Sequence, residues 1–135
     1  MDSRLLAPRT TLRFAIGLMA ALAGLDKFFN LLADWQSYVA PVAAQLMPFT
    51  PHVFMMIVGV IEFAVGITIL FVRPSLGAYV ASAWLLLVAA NLVLGAHFDI
   101  AVRDVVLSIA AFTLARLEEV DAQPVGAPSL RTARA

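Results

Sequence analysis

The chain of 135 residues contains no cysteine. Disulfides, thiol redox chemistry, and zinc or iron–sulfur centres held by cysteine are therefore excluded. Charged residues are also scarce, at 13% of the sequence, and the formal net charge is zero, so no basic field indicates binding to nucleic acid. The glycine-rich phosphate loop, the serine nucleophile elbow and the paired-histidine metalloprotease motif are absent as well. The usual signatures of soluble enzymes are therefore missing.

What the sequence does contain is strongly apolar. Hydrophobic residues make up 62% of it and its mean hydropathy is +0.93, which is well above the range of soluble domains. A helix needs about 20 apolar residues to cross a membrane, and four windows qualify, at about 12–33, 53–72, 76–97 and 98–117. The sequence therefore predicts an all-α protein, a transmembrane four-helix bundle.

The predicted bundle occupies residues 12–117. Residues 1–11 form a cytoplasmic N-terminal segment in this interpretation, and the polar residues 118–135 form a disordered cytoplasmic tail. Between the first two windows, Trp35, Tyr38 and three prolines indicate a segment that lies at the membrane interface. The fourth window is the weakest, because charged residues occupy its first turns.

The arginines predict the orientation. On the four-span model seven of them lie on one side, which the positive-inside rule assigns to the cytoplasm. We therefore expect a multi-pass protein of a bacterial inner membrane with both termini in the cytoplasm. A cleaved signal peptide ending near Ala23 is an alternative, although the apolar run continues past it to Leu32. The seven are Arg4, Arg9, Arg13, Arg73, Arg116, Arg131 and Arg134.

Polar groups within the apolar windows are the main functional clue. A charge at the centre of a membrane helix costs roughly 2.5 to 3.5 kcal/mol, so such residues are expected to be paired or functional. From the rise per residue, the polar positions of all four windows lie roughly 8 to 14 Å below the outer helix ends. This shared depth predicts one polar network in the outer half of the membrane. The ionisable residues are Asp26, Lys27, Glu62, Asp99, Arg103 and Asp104, and Asn91 lies at a similar depth.

Small residues share helix faces with these groups. Gly24 precedes Lys27 by three positions, and Gly59 precedes Glu62 by three. Because small residues allow membrane helices to approach closely, we expect Lys27 and Glu62 to point into the bundle. Asp26 is then expected at the rim, since consecutive helical positions face different directions.

Two interpretations of the charges remain open. In the first they are satisfied ion pairs that set helix register, Lys27 with Glu62, and Arg103 with Asp99 or with Asp104 of a neighbouring subunit. In the second they form a ligand or proton site. Two cations cannot neutralise four carboxylates, and a low dielectric favours protonation of an unpaired acid. Glu62 and Asp104 are therefore the proton-exchange candidates, and no residue is firmly identified as catalytic.

Histidines lie at the outer ends of the helices. A haem or copper site between His52 and His97 is an alternative, but the two share no local spacing, and no metal site is predicted. His97 is interpreted instead as a donor or proton relay at the mouth of the site. The predicted ligand-binding residues are Lys27, Glu62, Asn91, His97, Arg103 and Asp104.

Four motifs occur in order along residues 12–117: Arg13-Phe14 through Gly17, Gly24-Leu25-Asp26-Lys27-Phe28, Gly59-Val60-Ile61-Glu62 with Gly66, and Phe98-Asp99-Ile100-Ala101-Val102-Arg103-Asp104 running to Ala115-Arg116-Leu117. In this order they resemble the DoxX family of small bacterial membrane proteins. The resemblance implies a four-helix inner-membrane protein whose relatives include the membrane subunit of thiosulfate:quinone oxidoreductase and membrane anchors of oxidative-stress complexes. It also implies that the family's charged positions correspond to Lys27, Glu62, Arg103 and Asp104.

We therefore expect a membrane subunit of an oxidoreductase system that binds a lipophilic ligand such as a quinone, without a covalent cofactor. Lys27 or Arg103 would donate a hydrogen bond to a quinone carbonyl, and Glu62 or Asp104 would exchange a proton. A soluble or membrane redox partner would supply electrons. A proton-coupled carrier of small solutes and a non-catalytic scaffold for a redox complex are the alternatives. The sequence leaves open whether the protein is an enzyme, and it is compatible with a homo-oligomer in the lipid bilayer.

Overall fold

The computed structural model describes residues 2–123, and all of the regular structure in that range is helical. This confirms the all-α prediction. Four helices are long, and the first two of these are connected by a 3₁₀ turn and a short helix. The elements in chain order are α1 (Ser3–Asp26), a 3₁₀ turn (Trp35–Tyr38), α2 (Pro41–Leu46), α3 (Pro51–Ile67) with a π-helical turn at its end (Thr68–Val72), α4 (Pro74–Leu94) and α5 (Phe98–Ala122).

Prolines mark where three of the helices begin. Pro41, Pro51 and Pro74 are the first residues of α2, α3 and α4. Proline suits this position because the first backbone N–H groups of a helix have no partner within the helix. At α3 the hydroxyl of Thr50 accepts a hydrogen bond from the backbone N–H of Val53 at 3.3 Å. Of the three prolines that the sequence predicts at an interface, two therefore define helix starts, Pro41 and Pro51, whereas Pro48 lies between α2 and α3.

The first helix lies earlier in the chain than its predicted window. It begins at Ser3, where the carboxylate of Asp2 accepts a hydrogen bond from the backbone N–H of Arg4, and it ends at Asp26. The last helix is longer than predicted and reaches Ala122, so it includes the start of the predicted tail. Glu118 is buried there and pairs with Arg9 at 3.1 Å. The rest of the predicted tail, residues 124–135, lies outside the described residues.

Three helices are long and apolar enough to cross a membrane: α1, α3 together with its π turn, and α4. Their outward side chains are mainly large and apolar, and many of these are more than half exposed, as expected for a protein surrounded by lipid. α5 does not reach the same apolar character, because charged side chains occupy both of its ends. The protein therefore has the helices of a membrane protein, and the fourth predicted span is not confirmed.

The long helices form two antiparallel pairs, α1 with α3 and α4 with α5. The pairs meet at the end of the bundle that holds Ile16, Ile69 and Leu114, where Ile69 and Leu114 are fully buried. At this end the guanidinium of Arg13 donates hydrogen bonds to the carbonyl oxygens of Ile69 and Leu70. These donors compensate carbonyls that the π turn leaves without helical partners. The apolar core therefore fixes one end of the bundle, which we call the inner end, and we call the opposite end the outer end.

Candidate ligand cavity

Glycines bring the backbones of α1 and α3 into contact. A Cβ atom on Gly24 would lie 2.5 Å from the backbone nitrogen of Phe63 and 2.6 Å from the carbonyl oxygen of Gly59. One on Gly66 would lie 2.5 Å from the backbone nitrogen of Ala21. No side chain fits at such distances, so the two helices can approach this closely only where glycine is present. The contact places the outer part of α1 directly against the middle of α3.

Lys27 and Glu62 face each other across this contact. The Lys27 Nζ atom lies 2.5 Å from Glu62 Oε2, and the side chains are 5% and 14% exposed. The indole N–H of Trp84, on α4, donates to the other carboxylate oxygen, Oε1, at 3.2 Å. The Lys27 ammonium also lies 3.8 Å from the centre of the Trp35 ring, a cation–π contact. A charged pair is therefore held in a partly buried site between two tryptophans.

Arg103 and Asp104 form a second pair on α5. The Arg103 Nε and Nη2 atoms lie 3.0 and 2.9 Å from Asp104 Oδ1. The Asp104 carboxylate is buried, whereas most of the Arg103 side chain is exposed. Consecutive residues on a helix point in different directions, and the long arginine side chain bends back to reach its neighbour. Within one chain Arg103 therefore pairs with Asp104 and not with Asp99, while pairing with Asp104 of a neighbouring subunit stays a prediction.

Residues 31–40 cover the outer end of the bundle, and we call them the roof segment. Asn91 of α4 holds this segment with both ends of its side-chain amide. Its Nδ2 atom donates to the carbonyl oxygen of Tyr38 at 2.8 Å, and its Oδ1 atom accepts from the backbone N–H of Ala40 at 3.0 Å. Asn91 therefore satisfies backbone groups that would otherwise be buried without partners, and it fixes the position of the roof.

Asp26 holds the other end of the roof segment. Its carboxylate accepts hydrogen bonds from the backbone N–H groups of Leu31 and Leu32 at 3.0 and 2.9 Å, and from the Trp35 indole at 2.8 Å. The expectation of Asp26 as a rim residue does not include burial, but the structure shows that its side chain is buried beneath this segment. α1 ends here because the chain turns back over the carboxylate. In the turn, backbone N–H groups can donate to the Asp26 side chain, which they could not do if the helix continued. The same contacts place Trp35 over Lys27.

A cavity of about 760 Å³ lies beneath the roof segment, between the two helix pairs. Each long helix contributes one face to its wall, with lining positions three or four residues apart. Most of the lining is apolar. The polar side chains that line it are Lys27, Trp35, Tyr38, Glu62, Trp84, Asn91, Arg103 and Asp104.

His97 does not line the cavity. It immediately precedes α5 and packs edge-on against the Tyr38 ring, with 5.2 Å between the ring centroids. Its Nδ1 atom is buried and has no hydrogen-bond partner within residues 2–123. His52 lies in a different contact, 2.7 Å from the Gln36 amide nitrogen. Within the described range, no group of three or more His, Asp or Glu side chains is close enough to hold a metal ion.

Of the six predicted ligand-binding residues, five therefore line one cavity, and His97 supports its roof instead. Two tryptophans at the site were not anticipated. The sequence pattern predicts that Trp35 lies at headgroup level, and it gives Trp84 no role at the site. Trp84 lies seven positions before Asn91 and so on the same helix face, and its indole N–H needs a partner in an apolar helix. These two features together indicate from the sequence that Trp84 belongs to the same polar site as Asn91.

Comparison with known proteins adds no relative. No protein-family model, no curated protein and no solved structure matches the chain.

Proposed function

We propose that this chain is a DoxX-like membrane subunit of an oxidoreductase system that binds a lipophilic ligand, of which a quinone fits best, in the cavity beneath the roof segment. The observation that carries the proposal is the combination of a large apolar cavity with two ion pairs on its wall. A purely structural ion pair would favour close packing around it rather than an open volume.

The volume suits a ligand of this kind. Small-molecule sites in proteins commonly measure about 300–1,000 Å³ and combine apolar walls with a few convergent polar groups. At about 760 Å³ the cavity lies within that range. A quinone likewise combines a polar part with an apolar part, since its ring carries two carbonyl oxygens and its tail is apolar. The polar wall near Lys27, Glu62 and Asp104 would face the ring, and the apolar faces of the helices would face the tail.

The polar groups differ in their availability to a ligand. Both carboxylate oxygens of Glu62 already accept hydrogen bonds, and the Lys27 ammonium is covered by the Trp35 ring. Arg103 uses two of its nitrogens on one oxygen of Asp104, which leaves further N–H donors on the guanidinium. Arg103 is therefore our first choice as the donor to a quinone carbonyl. Glu62 or Asp104 would exchange protons with the ring while a redox partner protein supplies electrons.

Placement in a bacterial inner membrane is part of the proposal, with α5 as a fourth span. The ion pair between Arg9 and Glu118 and the contact of Arg13 with the end of α3 show that basic residues gather at the inner end. By the positive-inside rule this end, with both termini, would face the cytoplasm. The cavity would then lie in the outer half of the bilayer. Oligomerisation with further copies is compatible with the apolar outer surface.

Tryptophan fluorescence offers a direct test, because both tryptophans of the chain, Trp35 and Trp84, line the cavity. The protein in lipid nanodiscs is titrated with decylubiquinone, and quenching of the emission is measured. We expect saturable quenching, and we expect Arg103→Met or Glu62→Gln to weaken the affinity by about tenfold, which corresponds to about 1.4 kcal/mol. Arg116→Met is the matched control, since Arg116 forms an ion pair with Glu119 that lies outside the cavity lining.

Two results would contradict quinone binding. One is quenching that rises linearly with quinone and never saturates, as collision in the bilayer alone would give. The other is an affinity that both cavity variants and the Arg116→Met control leave equal to that of the wild type.

A scaffold without a ligand is the second candidate. The specific observation that favours it is that Glu62 and Asn91 already have partners for their polar side-chain atoms, as residues with a structural role do. A scaffold should retain a stable partner protein after Glu62→Gln, and it should show no saturable binding of the quinone. Co-purification of the partner with wild type and variant, run beside the fluorescence titration, separates the two candidates.

A further inference from the structure

The roof segment closes the outer end of the cavity. Leu32, Ala33, Trp35 and Tyr38 all line it from above. The segment is attached at both ends, by the Asp26 carboxylate at its start and by the Asn91 amide near its end. Further contacts hold it from α3 and from the start of α5, between Gln36 and His52 and between Tyr38 and His97. A ligand that arrives from the outer aqueous phase would have to break several of these contacts together.

The sides of the cavity are different. Leu22 of α1 and Leu87 of α4 line it and are 56% and 65% exposed. Leu18, one turn before Leu22, and Leu86, next to Leu87, are also exposed but do not line the cavity, so Leu22 and Leu87 lie at the edge of the lining. Arg103 of α5 also lines it, with its side chain 61% exposed. The same residues therefore border both the cavity and the surface that would contact lipid. The core cluster that joins the two helix pairs lies at the inner end, and among residues 2–123 no second cluster of this kind joins the pairs in the outer half of the bundle.

From these two observations we infer that the ligand is an amphiphile dissolved in the bilayer, and that it reaches the cavity sideways, past Leu22 or Leu87, rather than through the roof. This inference rests on the proposed function and adds the ligand's source and its route. An apolar tail can remain between the leucines while the polar head moves inward, so the ligand need not leave the hydrocarbon region completely. A water-soluble solute would gain nothing from such a route.

Arg103 specifies the chemistry of the head. Its guanidinium carries five N–H donors, and Asp104 is its only hydrogen-bond partner within residues 2–123, through two nitrogens. The remaining donors lie at the opening, at a depth where water is scarce, and an unpaired donor there is costly. An oxygen acceptor on the ligand, a carbonyl or a phosphate, would satisfy them. Both a quinone and a phospholipid offer such an oxygen at the head of an apolar molecule.

The absence of cysteine from the chain makes the route accessible to site-specific labelling. The variant Leu22→Cys/Leu87→Cys places one thiol at each of the two leucines that border the cavity, and each thiol is then labelled with a bulky maleimide. The matched control is Leu18→Cys/Leu86→Cys, because these leucines lie on the same two helices and are about half exposed but do not line the cavity. Stopped-flow quenching of tryptophan by decylubiquinone in nanodiscs is measured for each variant before and after labelling.

We expect the label at positions 22 and 87 to slow quenching by about tenfold or more, as steric obstruction of a route does. Each variant is compared with itself before and after labelling, and labelling of the control Leu18→Cys/Leu86→Cys should leave its rate unchanged, which shows that the label alone does not disturb the fold. Equal rates in the labelled variant and the labelled control would overturn sideways access. Faster quenching by the tail-less analogue ubiquinone-0 than by decylubiquinone, at equal aqueous concentration, would overturn it as well.

A second probe separates this inference from the proposed function. Dibromo-phosphatidylcholine carries a quencher on its acyl chain, and it is incorporated into the nanodiscs in place of quinone. Label-sensitive quenching by the brominated lipid, together with no saturable quenching by decylubiquinone in the separate titration, would support sideways access but assign the cavity to a lipid, against the quinone proposal. Saturable binding of decylubiquinone at a rate that the label leaves unchanged would support the quinone and overturn the route.

Discussion

Replacing Gly24 by alanine tests the contact on which the site is built. The added Cβ would lie 2.5 Å from the backbone nitrogen of Phe63 and 2.6 Å from the carbonyl oxygen of Gly59, and ordinary van der Waals contact begins at 3.4 Å. Both neighbours are backbone atoms of α3, so neither can rotate away. The helices must therefore separate by roughly 1 Å at this level, since a packed interior has no spare room to absorb the methyl group.

The expected cost follows from two opposing effects. Overpacking in a protein core costs about 1–3 kcal/mol, and a clash with backbone on two sides belongs in the upper part of that range. Alanine is favoured over glycine in a helix interior by about 1 kcal/mol, which offsets part of it. We expect Gly24→Ala to lower the free energy of unfolding by about 1–2 kcal/mol. Separation of the helices would also lengthen the contact between Lys27 and Glu62, now 2.5 Å.

The assay is reversible unfolding by sodium dodecyl sulfate in mixed micelles, followed by circular dichroism. Gly95→Ala is the control, because its added Cβ would lie 3.1 Å from the side chain of His97 and 3.6 Å, an ordinary contact, from the backbone oxygen of Asn91, and Gly95 has an ordinary φ of −88°. The control should change stability by no more than about 0.5 kcal/mol. If Gly24→Ala proves as stable as Gly95→Ala, α1 and α3 are not in backbone contact, and the positioning of Lys27 against Glu62 needs another explanation.

Two further predictions concern the polar contacts. Lys27→Met leaves the carboxylate of Glu62 buried without its cation, so we expect a loss of about 3 kcal/mol in the same unfolding assay, most of it recovered in Lys27→Met/Glu62→Leu; equal stability of the single and double variants would argue against a paired state. Asn91→Leu removes both hydrogen bonds to the roof segment, so the backbone N–H of Ala40 should exchange with deuterium about tenfold faster in hydrogen-exchange mass spectrometry. Unchanged exchange at Ala40 would show that other contacts suffice to hold the roof.

The sequence predicts that the long helices exist, but it predicts the residues at which they end less accurately. The apolar windows placed α3 and α4 well, because prolines at 51 and 74 mark their starts. The window for α1 extended too far, because Leu31 and Leu32 continue the apolar run. The helix ends at Asp26 since its carboxylate binds the backbone N–H groups of these two leucines once the chain has turned back. A hydropathy pattern carries no signal for such a turn.

The candidate site was predictable where it depends on spacing within one helix. Gly24 and Lys27, like Gly59 and Glu62, lie three positions apart, and this spacing indicated both the close helix contact and the inward direction of the charges. The role of Asn91 could not be found in this way. Its partners Tyr38 and Ala40 are more than 50 residues distant in the chain, and only the packed structure brings them to the same amide.

By itself the sequence determined the helical class, the apolar surface and the residues available for pairing, because these depend on composition and on a local repeat of 3.6 residues. Only the tertiary structure decided that Arg103 pairs with Asp104 rather than Asp99, that Trp35 covers Lys27, and that a cavity remains between the helix pairs. A cavity is a volume that packing leaves unfilled. Its existence depends on how two pairs of helices joined at one end separate toward the other, and no spacing along a single helix encodes that separation.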